Sequence, residues 1–268
     1  MNWIGLVIYG EVGRILADTG ATIQYTFKPW IHRSKNHHQF DDLIDESKSD
    51  AWILYRSSIK VQEYFQNNAI PSILFGNAHK GINLPALTID YSAALHHCLA
   101  SLIRLKHDPK NILLVIPGTK LAGNLQLRET FTEILGPAAS RQIISYQEST
   151  NNTSQVMQSP LLSTPRPTAI ITLRVRAAVK IHGLLSNQYR LSIPQNISLI
   201  CLEDAPLMEH LVPRISRYRV ENKNVTNFVT SALSQLLSSG IGKPWGHRPL
   251  LPEFIKGETI SAPPVRKR

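Results

Sequence analysis

The stretch Pro167–Asp204, PTAIITLRVRAAVKIHGLLSNQYRLSIPQNISLICLED, constrains the chain more than any other. An apolar run, Ala169–Leu173, precedes a helix-like segment, Arg174–Tyr189, and a second apolar run, Ser198–Leu202. Two buried strands separated by a crossover of helix length pair in parallel, because a parallel neighbour can be reached only by such a return. In open parallel sheets, ligands gather just beyond the carboxyl ends of the strands. Thr172–Arg174 and the acids Glu203 and Asp204 fall at those ends.

The rest of the chain alternates in the same way, which implies parallel sheets covered by helices, an α/β fold. Strand-like runs are read at Ala51–Tyr55, Ser72–Phe75, Ala86–Asp90, Asn111–Ile116 and Ile143–Tyr146. Helical segments are read at Ile59–Asn67, Tyr91–Leu105, Asn124–Leu135 and Asn151–Ser163. Ser216–Val220 alternates and reads as extended. Asn222–Ser239 sets Val225, Phe228, Val229, Ala232, Leu233, Leu236 and Leu237 on one helical face. Gly242–Leu250 reads as a loop and Leu251–Lys256 as a last strand. The N-terminus allows two readings. Trp3–Tyr9 forms a strand before a short helix, Glu11–Thr19; or Asn2–Thr19 is one helix followed by a strand at Thr22–Phe27. Short apolar runs do not separate the two, although Ile4, Val7, Ile8, Val12, Ile15 and Leu16 share one helical face.

Composition narrows the class. At 268 residues and 43% hydrophobic content, one large or two modest domains with a sizeable core are expected. No apolar run reaches the roughly 20 residues of a membrane helix. MNWIGLVIYG has neither the basic flank nor the cleavage site of a signal peptide. Two cysteines, Cys98 and Cys201, make no disulfide framework and read as small buried side chains, which fits a reducing cytoplasm. The net charge of +10 favours anionic partners in general but is dispersed, its one cluster being the tail Arg266–Arg268. His37-His38 and His96-His97 suggest a metal, but adjacent helical residues face different ways, so a metal site is not expected. No nucleophile elbow, phosphate loop or dinucleotide glycine motif is present, and no enzymatic activity or cofactor is expected.

PTAIIT followed by a helix and then IPQNISLICLED resembles the core of the LacI/GalR family of transcriptional regulators. Other matches come in the same order: DAWIL at Asp50, IPSIL at Ile70, Asp90-Tyr91 with Ala93-Ala94, Lys110-Asn111-Ile112, Arg128-Glu129-Thr130-Phe131, Arg214–Arg219, and LPEFIKGET at Leu251. The resemblance covers roughly residues 10–262. It implies a two-lobe periplasmic-binding-protein-like fold, with parallel sheets flanked by helices and a ligand cleft between the lobes. Residues 1–90 and 221–247 would form one lobe, 91–218 and 248–262 the other, and 263–268 a basic tail. The crossovers would fall at Asp90–Tyr91, Arg219–Glu221 (with Val220 between them) and Gly246–Pro249. The family's DNA-binding headpiece has no counterpart here. The expectation is therefore a cytoplasmic sensor core that binds a sugar-like effector, pairs as a homodimer, meets operator DNA only through an attached headpiece and touches no membrane. The alternative is a solute-binding protein of a sugar transport system.

The resemblance also assigns residues. Arg128 sits in the motif whose arginine faces the effector; by pattern alone it is a solvated arginine on an amphipathic helix. Glu203 and Asp204 stand where the family has paired acids, with Glu203 expected to face the ligand and Asp204 also to cap a helix starting at Ala205-Pro206. Arg174-Val175 replaces the family's Asn-Asp. With Arg176 it would make that wall cationic and point to an effector carrying a carboxylate or phosphate, or to a degenerated site, unless both arginines face solvent. Tyr55 and Arg56 after one strand, and Asn77 after another, are further candidates for ligand contact.

Overall fold

The computed structural model describes Gln24, residues 38–239 and residues 248–264. The N-terminal alternatives within residues 2–27, His37 and the tail Arg266–Arg268 lie outside the described residues, Gln24 excepted. In chain order the regular elements are α1 (His38–Ser47), β1 (Trp52–Tyr55), α2 (Ile59–Asn67), β2 (Ser72–Phe75), β3 (Ala86–Ile89), α3 (Tyr91–Arg104), β4 (Ile112–Pro117), α4 (Ala122–Leu135), β5 (Ile143–Tyr146), α5 (Thr153–Leu162), β6 (Ala169–Thr172), α6 (Val175–Gly183), β7 (Ser198–Cys201), β8 (Ser216–Arg219), α7 (Asn222–Ser239), β9 (Arg248–Leu250) and β10 (Glu253–Ile255). The chain divides into two compact units. Among the described residues, the first takes those up to Ile89, Lys120–Gly123 and those from Glu221 to Leu250; the second takes Asp90–Thr119, Asn124–Val220 and those from Leu251 on.

The first unit holds a parallel sheet in the order β1-β2-β3-β9. Val61, Tyr64 and Phe65, spaced at three and four residues on α2, pack with Phe40 of α1 against Leu54 and Leu74 of the strands. Phe40 stacks on Tyr64 with ring centroids 4.6 Å apart, and Trp52 meets Phe65 edge-on at 5.4 Å. Val225, Val229, Ala232, Leu233 and Leu236 form the buried face of α7, and Phe228 is half-buried beside them.

The second unit holds a six-stranded sheet in the order β10-β8-β7-β6-β4-β5. All its pairs are parallel except β10 with β8. Every residue of β4 is buried, as a strand covered on both faces requires. Leu113, Val115, Ile170, Leu199 and Cys201 face α5 and α6; Ile112, Leu114, Ile116, Ile171 and Ile200 face α3 and α4. Cys98 and Cys201 lie inside these two layers, and burial pushes the Cys201 thiol up to about 12.

Two local readings differ from the structure. Arg248–Leu250 is a strand paired with Leu87–Ile89, not part of a loop, and it belongs to the first unit rather than the second. Pro249 cannot donate to a ladder and so fits only an edge strand, which β9 is among the described strands. The segment Arg174–Tyr189 is not one regular helix: α6 ends at Gly183 and a wider turn, Leu184–Gln188, follows. The extended reading of Ser216–Val220 agrees with the structure: Ser216–Arg219 is an interior strand of the second sheet, with Arg217 only 1% exposed.

The chain after β10 fastens the amino-terminal ends of the second sheet. Leu199 N–H donates to Thr259 O at 2.8 Å, and Ser216 N–H donates to Thr259 Oγ1 at 2.9 Å. His107, buried, bridges Thr168 Oγ1 (2.9 Å) and Ser261 O (2.8 Å). Because Ser261 O can only accept, Nε2 carries the proton and Nδ1 accepts from the Thr168 hydroxyl. A Cβ at Gly257 would lie 2.3 Å from Arg214 O and 2.6 Å from Ser216 N, so the return strand reaches β8 only with glycine there.

Two predictions follow from this fastening. Gly257→Ala forces backbone apart and costs about 2 kcal/mol or more in denaturant unfolding, within the range for overpacking; a loss below about 0.5 kcal/mol contradicts the close approach. Burial lowers the pKa of His107 in the folded state. The unfolded chain therefore takes up its proton first as pH falls below about 6.5. The His107 contribution is complete above that pH and is lost between it and the folded-state value. His107→Gln should flatten the fall in Tm between pH 7.5 and pH 5 relative to the parent chain; parallel curves would refute this.

Candidate functional site

The carboxyl ends of the second sheet bring together residues scattered along the sequence. Thr172 of β6 stands opposite Cys201 of β7. Two residues further on in each strand come Arg174 and Glu203, and their side chains form an ion pair that is 10% and 3% exposed. Arg174 is the N-cap residue of α6, in extended conformation, and its carbonyl accepts from Ala178 N–H at 3.0 Å. The second carboxylate oxygen of Glu203 accepts from Val175 N–H at 3.4 Å. Glu203 thus compensates both the guanidinium and the positive end of α6. Arg176 is exposed on α6. The two arginines therefore make neither a joint cationic wall nor a pair facing solvent.

Asp204 does not cap the following turn. The short turn Pro206–His210 starts from Ala205 without a side-chain cap. Asp204 instead accepts from Arg217 on one oxygen and Arg219 on the other. Two guanidiniums outweigh one backbone N–H for a half-buried carboxylate. Glu209 joins the cluster through Arg217 and through Arg219 at 3.2 Å, with Arg214 at 4.0 Å. Hydrogen bonding to Asp204 holds the Arg219 guanidinium above its ordinary pKa. Alternation along β8 puts Arg217 and Arg219 on one face, while Tyr218 faces the other and bonds His97 Nδ1 through its hydroxyl at 2.7 Å.

Arg128, half-buried on α4, donates to Ser145 Oγ near the end of β5. The neighbouring loop after β4 is held by Asn124, which is 1% exposed. Its amide donates to Pro117 O (3.3 Å), Thr119 O (3.3 Å) and Thr119 Oγ1 (2.7 Å). Sequence reasoning missed Asn124, whose only signal was an amide just inside a helix start. Arg217 was missed as well, and its period-two partnership with Arg219 was the available sign.

In the first unit, Arg56 and Gly76 extend the ladders past their strand ends: Arg56 N–H donates to Phe75 O at 3.1 Å and Gly76 N–H to Leu87 O at 2.9 Å. Both have positive φ, +49° and +138°. Tyr55 packs against Phe75 with ring centroids 5.3 Å apart. The buried amide of Gln62 joins the two loops, donating to Ser57 O and Asn77 O at 3.2 Å each and accepting from His79 N–H at 2.9 Å. Tyr55, Arg56 and Asn77 are thereby grouped at the carboxyl edge of this unit's sheet. Asp90, the first residue of the second unit, caps α3 by accepting from Ala93 N–H at 2.8 Å, and Tyr91 opens that helix. Val220 is the last residue of the second unit before the chain returns to the first. No group of three or more metal-ligating side chains occurs among the described residues. No described helix is long and apolar enough to cross a membrane.

The family model for the periplasmic binding protein-like domain matches residues 124–260, just over half of the chain. The chain belongs to that family. Its fold is shared by solved LacI-family transcriptional regulators. A LacI family transcriptional regulator from Bifidobacterium animalis subsp. lactis is 18% identical, with a TM-score of 0.79 over 98% of this chain and 96% of that one. A LacI family regulator from Enterococcus faecium with bound ribose is 15% identical, with a TM-score of 0.74 over 97% and 95% of the two chains. A sugar-binding LacI-family regulator from Escherichia coli complexed with phosphate is 12% identical, with a TM-score of 0.71 over 96% and 94%. No curated protein matches the chain by sequence.

The Arg174–Glu203 pair yields a direct test. Glu203→Ala leaves a buried guanidinium uncompensated and should cost about 3–5 kcal/mol, whereas the double replacement Arg174→Met with Glu203→Leu should cost far less than the two single changes summed. Urea unfolding of the four chains measures this. Additive single effects, or a loss below about 1 kcal/mol for Glu203→Ala, would show that the pair is not formed.

Proposed function

We propose that this chain is the effector-sensing core of a LacI-type transcriptional regulator and that it binds a small hydroxylated molecule. The observation that carries the reading is the convergence of Arg128, Arg174 and Glu203 at the carboxyl ends of the parallel strands of one sheet, where folds of this kind place their ligands. The ribose and phosphate bound by two structural neighbours support a compact polar ligand. In this reading Asp90, Tyr91, Arg219 and Val220 lie on the segments that carry a ligand-dependent shift from one unit to the other. The effector changes populations only through unequal affinity for two conformations, and an attached DNA-binding segment reads out the change. The protein performs no catalysis, pairs as a homodimer and works in the cytoplasm.

Thermal melting against a library of monosaccharides, sugar acids and sugar phosphates tests the proposal. A ligand at 100 times its Kd adds about 2.7 kcal/mol, which raises Tm by on the order of 5 °C for a chain of this size. A chimera joining the chain to a DNA-binding headpiece should change its operator affinity with the same compound. The absence of any saturable shift across the library would refute the sensor reading.

A further inference from the structure

We infer that the effector is a small oxyanion, a carboxylate or phosphate monoester, and that Arg128 holds its charged group. This rests on the sensor reading above and specifies its ligand class. Charges and hydrogen-bonding capacity at the carboxyl edge of the second sheet favour such a ligand. A neutral polyol presents hydroxyls that donate as well as accept, so a site for it needs acceptors, and carboxylates are the strongest acceptors a protein offers. Three carboxylates follow β7, and each is already engaged by guanidinium. Glu203 is taken by Arg174 and Val175 N–H, Asp204 by Arg217 and Arg219, and Glu209 by Arg217, Arg219 and Arg214. A sugar hydroxyl reaching any of them shares the carboxylate with a guanidinium already bound to it. Two of those pairs are largely screened from water: the Arg174 and Glu203 side chains are 10% and 3% exposed, and those of Arg217 and Asp204 are 1% and 13% exposed.

Arg128 stands apart from these pairs. Its described partner is the neutral hydroxyl of Ser145, which occupies one of its five N–H donors. Among the described residues no carboxylate lies within ion-pair range of it. Ser145 is on β5, and Arg174 follows β6; the single strand β4 lies between them. At the usual strand spacing the two positions are about 10 Å apart. A molecule of monosaccharide size over the end of β4 would therefore have Arg128 on its β5 side. There the guanidinium offers a charged fork of donors suited to an oxyanion. The charge-neutral Arg174–Glu203 pair would flank the other side without repelling or attracting the anion. The carboxylates after β7 are thus engaged, Arg128 is a cation whose described partner is neutral, and an anion needs donors and positive charge alone. The overall charge of +10 favours the approach of such a ligand.

Calorimetry on the full chain with matched probes decides the matter: ribose, ribonate and ribose 5-phosphate, then glucose, glucuronate and glucose 6-phosphate. The inference predicts saturable binding by at least one acidic member, at least tenfold tighter than its neutral counterpart. The affinity should fall severalfold between 0.05 M and 0.5 M salt, as charge pairing requires. Arg128→Gln, checked for an unchanged melting profile, should weaken that binding at least tenfold, and Arg128→Lys should restore part of it. Binding of a carboxylate but not of the phosphate ester, or the reverse, selects between the two sources of the anion. A neutral sugar binding as tightly as its acidic partner, or a salt-independent affinity untouched by Arg128→Gln, overturns the inference and leaves the sensor reading standing. No saturable binding by any of the six probes overturns this inference; the sensor reading falls only if the wider library is silent as well.

Discussion

The pairing of β6 with β7 in one register governs the chemistry of the second unit. Thr172 opposite Cys201 puts Arg174 beside Glu203, two residues beyond each, whatever the helix between them does. A slip by one residue would turn every apolar side chain of β7 to the wrong layer, so the packing of Leu199, Ile200 and Cys201 fixes the ion pair. The pair is therefore an outcome of hydrophobic register, and its own contribution to stability is secondary. Its effect is on what the edge of the sheet can bind.

Further along the same edge the pattern repeats with more partners. Arg217 is delivered to the interior by β8, an interior strand of the sheet, and a guanidinium that is 1% exposed demands acids nearby. Asp204 and Glu209 answer that demand, and Arg219 extends the cluster to the residue before Val220, where the chain leaves the unit. Acids adjacent in sequence thus serve different neighbours: Glu203 serves the start of α6 and Asp204 serves β8. Any rearrangement at Glu203 is one peptide from the cluster that anchors the exit of the chain.

Much of the architecture could be read from the sequence because it rests on burial. Runs such as Ile112–Ile116 and Ala169–Thr172 are apolar throughout, and only a strand covered on both faces explains that. The helical face of Asn222–Ser239 was equally plain. What escaped was decided by non-local partners. Arg248–Leu250 carries no apolar run and owes its strand to β3. Asp204 is a plausible cap beside Ala205-Pro206 until Arg217 arrives from another strand. Arg174 reads as a cation facing either ligand or solvent because nothing local reveals Glu203, 29 positions away, as its neighbour. Arg128 at the carboxyl edge was legible only through family resemblance, whereas Asn124, Gln62 and His107 show their importance through loop and strand-end contacts that no pattern encodes.

The central claim is that a small molecule is recognised at the carboxyl edge of the second sheet. Amide hydrogen exchange, with and without the compound giving the largest thermal shift, tests it most directly. The account predicts new protection concentrated in the segments after β4, β5, β6 and β7, around Gly118–Thr119, Gln147, Arg174–Val175 and Glu203–Ala205. Protection confined to the opposite ends of these strands, around His107, Thr168 and Ser261, would contradict it.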